Sequence, residues 1–364
     1  MNHRTSIGLD VHARSIKAAA FVPETGEIIE KGFGYDAAGI AEWAHGLPQP
    51  TRAVYESGPT GFDLCRALKE LDIDCCVGAV SKMLRPSGDR IKTDKRDAVF
   101  LARMLAVGNI VEVALPAPEM EAYRDLARAR ADAREDLMRA RHRLSKMLLR
   151  KGISYDEGKA AWTKAHRKWL SGIGFEGAVE KAVFDEYLDS VIAAEQKRGR
   201  LDALIVSNSK DESMAPSVAA LSLLRGIGLV SAFSLKAEVG DFSRFPDARS
   251  FMSYMGLIPS ESSSGESVSR GKITRTGNLH ARTLLVEAAW HQGRAYKPLT
   301  SEASAGNPYV SPEIAACARN ANRRLHDRAV HLRARGVAAN KANIAVAREM
   351  AGFIWALGCM AQRD

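Results

Sequence analysis

The first 115 residues place short apolar segments and turns in an order that is typical of a mixed sheet. Three apolar segments rich in Ile, Val and Ala are separated by two short polar turns, which predicts an antiparallel meander of three strands. Helical and strand patterns then alternate, and this order indicates an α/β sheet covered by helices. The predicted strands are residues 7–11, 16–22, 27–33, 52–55 and 75–80, and the predicted helices are 37–45, 61–71 and one that begins near residue 93.

The rest of the chain is predicted to be helical and to form two parts, which gives domains of 1–115, 116–214 and 215–364. Residues 123–147 carry apolar side chains at alternating spacings of three and four, the pattern of a helix that packs along one seam. A second long helical pattern covers 184–206, so the middle part is predicted to be an antiparallel coiled-coil arm that serves self-association. The two seams are Tyr123, Arg130, Leu137 and Leu144, and Leu126, Ala133, Ala140 and Met147.

Positive charge is concentrated in the last part of the chain. The sequence has 52 Lys and Arg against 43 Asp and Glu, a net charge of +9, and residues 215–364 hold 19 basic and 11 acidic side chains. Arg dominates this excess, and guanidinium groups pair with phosphates in a bidentate manner, so the predicted partner is a polyanion such as DNA. The alternative is a solvated surface that only aids solubility.

Composition excludes several classes of protein. The apolar fraction of 46% and the charged fraction of 26% are those of globular proteins, which excludes a wholly disordered chain. The longest apolar runs, such as 353–357, are far shorter than the ~20 residues that span a bilayer. The five Cys lack the spacing of disulfides or metal sites, and no signal-peptide pattern opens the chain, so we expect a cytoplasmic protein with no membrane partner.

Four acidic residues of the first domain stand at strand ends or on one helix face. Asp10 ends the first apolar strand, Glu56 ends the strand AVYE, and Asp94 and Asp97 are three residues apart on a predicted helix. Like charges at this spacing repel one another, and a divalent cation would offset the repulsion. The set therefore predicts an oxygen-rich Mg²⁺ site suited to phosphodiester chemistry. Taken singly, the two Asp residues also fit helix N-terminal caps, and Glu56 fits a turn cap.

A Ser- and Gly-rich stretch at 261–278, ESSSGESVSRGKITRTGN, is predicted to be a flexible loop that accepts a phosphate group. Hydroxyls backed by cations orient a phosphodiester for nucleophilic attack. A plain Ser/Gly linker is the alternative, and composition alone favours it. The basic residues assigned here to nucleic-acid binding are Arg270, Lys272, Arg275 and, further along the chain, Arg282.

Two further patterns of the last domain indicate contact with DNA. Residues 221–240 have a helix–Gly-x-Gly–helix order, in which the second helix points its N-terminal amides at a phosphate, as in a helix-hairpin-helix element. A simple turn between two helices fits the same residues. The Arg residues of 319–335 recur at helical spacing without a matching acidic stripe, which favours a nucleic-acid backbone contact through Arg323 and Arg324.

Several motifs resemble, in the same order, those of the DEDD transposases of IS110 insertion sequences, a group that includes Piv-type DNA invertases. They are IGLDVH, YES, KTDKRDA, GLIPSESSSG and GKITRTGNLHARTLLVEAA, and they cover nearly the whole chain. The resemblance implies an N-terminal RuvC-like domain of the RNase H fold and a mostly helical C-terminal transposase domain. It also implies that Asp10, Glu56, Asp94 and Asp97 bind Mg²⁺.

The same resemblance implies a serine nucleophile directly before Gly, which is Ser264 here, with its neighbour Ser263 as the alternative nucleophile. Attack by the serine would leave a covalent phosphoserine link and a free 3′-hydroxyl. The family resembles proteins guided by a structured non-coding RNA, the bridge RNA, which pairs with donor and target DNA, so an RNA partner is expected from the resemblance alone. A homo-oligomer, either a dimer or a tetramer, in a bacterial cytoplasm and on the nucleoid is expected in the same way.

Two other functions fit the same residues. A RuvC-like junction nuclease would use the Mg²⁺ site to hydrolyse DNA with water and would form no protein–DNA bond. An architectural protein would bind DNA while its acidic set stayed inactive. The sequence also favours a solvent-facing hairpin position for His12 over a role beside the metal site.

Overall fold

The computed structural model describes residues 5–79, 94–156, 158, 160–264, 267–300 and 306–363, and it gives no side-chain description at 262–264, 267, 268 and 270. The chain forms two compact units, Met1–Pro116 and Ala117–Asp364. The second unit contains both the two long helices of the middle part and the helices of the C-terminal part.

The first unit contains a six-stranded mixed sheet, which confirms the predicted α/β class. Strand β1 lies between β2 and β4, the β1–β2–β3 segment is an antiparallel meander, and β4 and β5 run parallel to β1. The last strand, β6, was not predicted, because two residues are too few to show a period. The strands are β1 (Thr5–Val11), β2 (Ile16–Val22), β3 (Glu27–Phe33), β4 (Thr51–Glu56), β5 (Asp74–Gly78) and β6 (Glu112–Val113).

Helices cover both faces of this sheet because successive strand residues point to opposite sides. Ala53 and Tyr55 of β4 pack with buried residues of α1 (Ala37–His45) and α2 (Asp63–Glu70) on one face. Val54, between them, packs on the other face against Leu101 and Leu105 of α3 (Asp94–Ala106). Helix α3 therefore packs against the central strands β1, β2 and β4.

In the second unit, α4 (Pro118–Arg150) and α6 (Ala178–Asn208) pack as an antiparallel pair. The direction follows from the ion pairs, because Arg130 meets Asp202 while Arg141, further along α4, meets the earlier residue Glu195 of α6. Arg130 of the predicted seam is thus accommodated by an acidic partner. Six other seam residues of α4 are buried, namely Tyr123, Ala133, Leu137, Ala140, Leu144 and Met147. The Trp-bearing stretch between the two helices contains a further helix, α5 (Lys164–Ser171).

One hydrophobic core joins the remaining helices and also includes Tyr123 and Ala127 of α4 and Ile205 of α6. A two-stranded hairpin, β7 (Pro259–Ser264) and β8 (Ser267–Ile273), interrupts the helices. Helix α12 has the length and hydropathy of a membrane span, but half of its most apolar stretch is buried inside the protein, as in a core helix. The helices are α7 (Ala215–Ser222), α8 (Leu229–Val239), α9 (Ala248–Tyr254), α10 (Leu279–Ala289), α11 (Pro312–Ala334) and α12 (Ala339–Ala361).

Candidate active site

Asp10 and Glu56 stand at the same edge of the sheet, at the carboxyl ends of two neighbouring strands. β1 and β4 run parallel with Leu9 opposite Tyr55, so the next residue in each strand is one of the two acids. Both side chains are half-buried. Ligands of open α/β sheets bind outside the carboxyl ends of the strands, so this edge is where a site is expected.

Gly8 brings α3 against the middle of β1. A Cβ atom at Gly8 would lie 2.0 Å from the carbonyl oxygen of Ala98 and 2.5 Å from the amide nitrogen of Ala102, which no side chain tolerates. The helix backbone therefore rests directly on the strand two residues before Asp10. This close approach sets the first turn of α3, which contains Asp94 and Asp97, beside the carboxyl end of β1.

Asp10, His12 and Asp94 form a group whose ligand atoms all lie within 4.8 Å of one another. His12 Nε2 is 3.1 Å from Asp10 Oδ2 and 3.7 Å from Asp94 Oδ2. The prediction that His12 faces solvent is right only in part. Its side chain is half exposed, but it also contacts both acids. The spacing Asp-x-His is the sequence signal for this contact, since residues two apart in an extended chain point to the same side. The prediction gave it less weight than a solvent-facing position.

The pKa of Asp10 is raised above its ordinary value. Partial burial is the main cause, because it removes water from the carboxylate, and the neighbouring charges of Asp94 and Asp97 add to it, while His12 acts in the opposite direction. The site thus holds negative charge that its protein partners do not fully offset. Carboxylate oxygens in this state suit a hard divalent cation, and the donor set fits such an ion.

Glu56 and Asp97 are half-buried and fall outside the group formed by Asp10, His12 and Asp94 in the described part of the chain. Asp97 is nevertheless close enough to act on the charge of Asp10. An ion pair between Lys95 and Glu30 of β3, with 2.6 Å between Nζ and Oε2, holds the start of α3 to the sheet. The structure therefore brings Asp10, His12 and Asp94 within ligand distance of one another, with Glu56 at the end of the neighbouring strand and Asp97 in the same helix turn as Asp94.

The Ser-rich stretch forms a hairpin, so the prediction of a flexible loop was wrong. In the register, Ser263 lies opposite Val268 and Ser264 opposite Ser267. The β-branched residues Val268 and Ile273 of β8 favour a strand. Pairing of the two backbones satisfies the amides that a loop would leave to water. The side chains of Ser263, Ser264 and Arg270 lie outside the described residues. We call β7 and β8 the serine hairpin.

The predicted nucleic-acid contacts have different surroundings. Lys272, Arg275 and Arg323 are exposed, and Arg324 is exposed but forms an ion pair with Glu349. Arg282 is only 9% exposed, and its guanidinium donates a 3.1 Å hydrogen bond to the carbonyl of Met255. The structure thus gives Arg282 a contact inside the protein, in place of the predicted contact with a nucleic-acid backbone.

The Gly-x-Gly turn joins α7 and α8 and has a packing role. Gly226 has a φ of +89°, and a Cβ atom there would lie 2.5 Å from the carbonyl oxygen of Ala288 in α10. Gly228 precedes the first residue of α8, and no side chain caps that helix start. The first glycine is thus explained by packing against α10, and the second leaves the N-terminal amides of α8 open.

Comparison with known proteins identifies the family of the chain. A family model described as a transposase of DEDD type from IS110 matches residues 7–152, and one described as "Transposase IS116/IS110/IS902 family" matches 218–304. The y4qE protein of Sinorhizobium fredii, which is named as a transposase, is 36% identical over 96% of this chain and 87% of its own length. The transposase for insertion sequence element IS1533 of Leptospira borgpetersenii is 31% identical over 90% of this chain and 96% of its own. The chain therefore belongs to the IS110 family of DEDD transposases, enzymes that cut and rejoin DNA.

Proposed function

We propose that this transposase cuts DNA with the help of Mg²⁺ held by Asp10, Glu56, Asp94 and Asp97, and that Ser264 forms a covalent link to the cut strand. The observation that supports the metal site is the group of Asp10, His12 and Asp94 at the carboxyl edge of the sheet. A divalent cation bound there would supply stabilisation of the charge that develops on the scissile phosphate.

The residues of the first unit orient the site. Asp10 and Asp94 supply carboxylate oxygens that lie close to one another. Glu56 and Asp97 are added as metal ligands because they match the family motif. The His12 imidazole fixes the Asp10 carboxylate through its 3.1 Å contact. Because Gly8 allows α3 to pack directly on β1, this packing sets the distance from Asp10 to Asp94 and Asp97. No loop has to move to bring these acids together.

The second unit supplies the nucleophile. The Ser264 hydroxyl oxygen bonds to phosphorus and gives up its proton, while the bond from phosphorus to the 3′-oxygen breaks and that oxygen leaves as a 3′-hydroxyl. Rejoining is the reverse reaction with a 3′-hydroxyl of another strand, which releases the serine. The support for Ser264 is its position directly before Gly in the motif GLIPSESSSG and at the end of β7.

DNA is held by the basic C-terminal part, in which Lys272, Arg275 and Arg323 are exposed. Arg270 and Arg324 extend the proposed contact, and binding is expected to weaken steeply with salt. A guide RNA is proposed from the family resemblance. The helices α4 and α6 are proposed to form the coiled-coil arm, at 116–214, that joins copies of the chain into dimers and tetramers. Since its substrate is cellular DNA, we expect the protein in the bacterial cytoplasm.

Trapping of the covalent adduct tests the proposal. Full-length protein with its co-purifying RNA, Mg²⁺ and end-labelled donor DNA is expected to yield a protein–DNA adduct that Ser264→Ala abolishes. Ser263→Ala is the matched control and keeps the adduct. Cutting that survives Ser264→Ala would establish the hydrolytic junction nuclease instead, and DNA binding without cutting under any condition would establish the architectural protein.

Sequencing of the co-purifying RNA tests the guide. A single structured RNA with segments complementary to donor and target DNA is expected. If the co-purifying RNA is random cellular RNA, the protein does not use a guide RNA. The proposed serine reaction does not depend on that result.

A further inference from the structure

The base of the serine hairpin is held between the end of α9 and the start of α10. The amide of Thr274 donates to the carbonyl of Ile258 at 2.9 Å, and the amide of Arg275 donates to that of Gly256 at 3.1 Å. The amide of Asn278 donates to the carbonyl of Tyr254 at 3.1 Å. We call these residues, 254–258 and 274–278, the hairpin root. The root fixes the direction in which the hairpin leaves the helices.

Two glycines make the root a backbone-to-backbone contact. Gly277 has a φ of +89°, and a Cβ atom there would lie 2.0 Å from the carbonyl oxygen of Tyr254. Gly256 has a φ of +64°, and its Cβ would lie 2.2 Å from the carbonyl oxygen of Thr276. Because no side chain fits between the two segments, the three backbone hydrogen bonds join them directly, and side chains beside the root set its position relative to the helices.

Asn278 provides this link in two directions. Its Oδ1 accepts from the amide of Ala281 at 2.9 Å and so caps the N-terminus of α10. Its Nδ2 donates to Oε2 of Glu238 at 2.7 Å. The side-chain amide therefore connects the hairpin root to a residue at the end of α8.

Glu238 is a buried carboxylate with a full set of partners. Its side chain is 1% exposed, and Arg128 of α4 binds both of its oxygens, with Nε at 2.8 Å and Nη2 at 3.0 Å. The hydroxyl of Tyr254 donates to the Glu238 carbonyl at 3.3 Å, so the same residue also contacts the other side of the root. Only the carboxylate end of this ion pair is buried, since the Arg128 side chain is 42% exposed. Burial of a carboxylate costs free energy that its partners have to offset, so its presence here calls for a specific role.

We infer that Glu238 is a positioning residue for the transposase reaction: it holds Asn278, and through Asn278 the root of the hairpin that carries Ser264, in register with α4, α8 and α10. The inference rests on the proposed function, in which Ser264 is the nucleophile. A nucleophile displaced by about 1 Å loses rate by up to ~10²-fold, whereas DNA binding, spread over many contacts, changes little. Arg128 secures the carboxylate from the α4 side.

Asn278→Ser tests the link, because serine keeps a cap for α10 and lacks the reach to Glu238. Full-length protein is expected to form the serine adduct about tenfold or more slowly, with DNA affinity within about twofold of the unchanged protein. Amide hydrogen exchange at 254–258 and 274–276 is expected to accelerate. Glu287→Gln is the matched control, since Glu287 also joins α10 to α4, through Arg134 at 3.2 Å, but is half exposed and does not contact the root.

A donor–acceptor swap separates positioning from general loss of stability. Asn278→Asp alone sets a second carboxylate against Glu238 and is expected to slow the adduct further. Adding Glu238→Gln restores one donor and one acceptor at this contact and the original net charge of the pair, although the carboxylate then stands at position 278 and Arg128 loses its anion. The double variant is therefore expected to form the adduct faster than Asn278→Asp alone. The swap also tests the inference if the Asn278→Ser variant does not fold.

Hydrogen exchange and adduct rates that match those of Glu287→Gln would overturn the inference. If the unchanged protein forms no adduct, the proposed serine reaction fails instead. In that case the exchange at the root still decides whether Glu238 holds the hairpin.

Discussion

The two units of this transposase each draw an acidic side chain out of water, and they treat its charge in opposite ways. Asp10 of the first unit has Asp94 and Asp97 nearby with His12 as a counterweight, and its pKa is raised, first by burial and then by these like charges. Burial alone would also raise the pKa of Glu238 in the second unit. There, hydrogen bonds from Arg128 and Asn278 outweigh burial and hold the pKa below its ordinary value.

Under the proposed function, the contrast separates an acid that binds a metal ion from an acid that holds the framework. Carboxylates that repel one another at a half-open sheet edge are destabilising until a cation arrives, which is the state that a metal-dependent enzyme requires. A carboxylate with two matched partners has no capacity left for a ligand and acts on the geometry of its neighbours. Burial raises the pKa of both acids, and their partners decide the direction of the net shift.

The largest expected effect comes from removal of the charge of Asp10. Asp10→Asn is expected to lower the rate of DNA cleavage by roughly 10³-fold, because a carboxylate of the proposed metal site is lost. Single-turnover cleavage of labelled donor DNA measures it. Asp63→Asn is the control, since Asp63 is an exposed acid of the same unit paired with Arg66. Equal rates for the two variants would place the metal site elsewhere.

Glu238 is expected to matter more for stability. Glu238→Gln removes the buried anion that Arg128 and Asn278 bind, and is expected to cost about 2 kcal/mol of unfolding free energy, because the Arg128 side chain is 42% exposed and water solvates its freed charge. The half-exposed pair of Arg134 and Glu287 is the control, and Glu287→Gln is expected to cost less than about 0.5 kcal/mol. Urea unfolding compares the two. Equal losses of unfolding free energy in the two variants would mean that the burial of Glu238 does not affect stability.

The closeness of the like charges around Asp10 depends on the packing of α3 against β1 at Gly8. Gly8→Ala forces the helix away from β1 and is expected to cost about 2 kcal/mol, with a loss of cleavage in the fraction that still folds. Gly34→Ala serves as the control, because a Cβ atom at Gly34 meets nothing within 4 Å. Thermal unfolding of both variants checks this, and an unchanged Gly8→Ala protein would show that α3 is not held by this contact.

The smallest effect concerns pH in the metal-free protein, and here the two acids should act with opposite signs. The lowered pKa of Glu238 gives stability that is present above its unfolded pKa and lost as pH falls through the folded value. The raised pKa of Asp10 gives stability that is present below its unfolded pKa and lost as pH rises through the folded value. With a chelator present, Asp10→Asn should therefore raise Tm at pH 7 and leave it unchanged in strong acid. Glu238→Gln should flatten the loss of Tm on acidification, and the same sign for both variants would contradict the contrast.

The sequence by itself determined the order of the elements and the identity of the family. Strand and helix patterns of the first unit appear in the structure close to their predicted bounds, because burial on both faces of a sheet forces a local pattern. The acids Asp10, Glu56, Asp94 and Asp97 were selected in the same way, from strand ends and helical spacing. Such signals are local, so a single chain segment is enough to show them.

Only the tertiary structure decided which side chains meet. The contact of His12 with Asp10 and Asp94 requires α3 to rest on β1 at Gly8, and the link from Arg128 through Glu238 to Asn278 joins residues up to 150 positions apart. The serine hairpin was predicted as a loop because its pairing partner, rather than its composition, makes it a strand. Arg282 was expected at the surface and is buried against Met255. Charge compensation depends on distance in space, which the order of residues along one chain does not state.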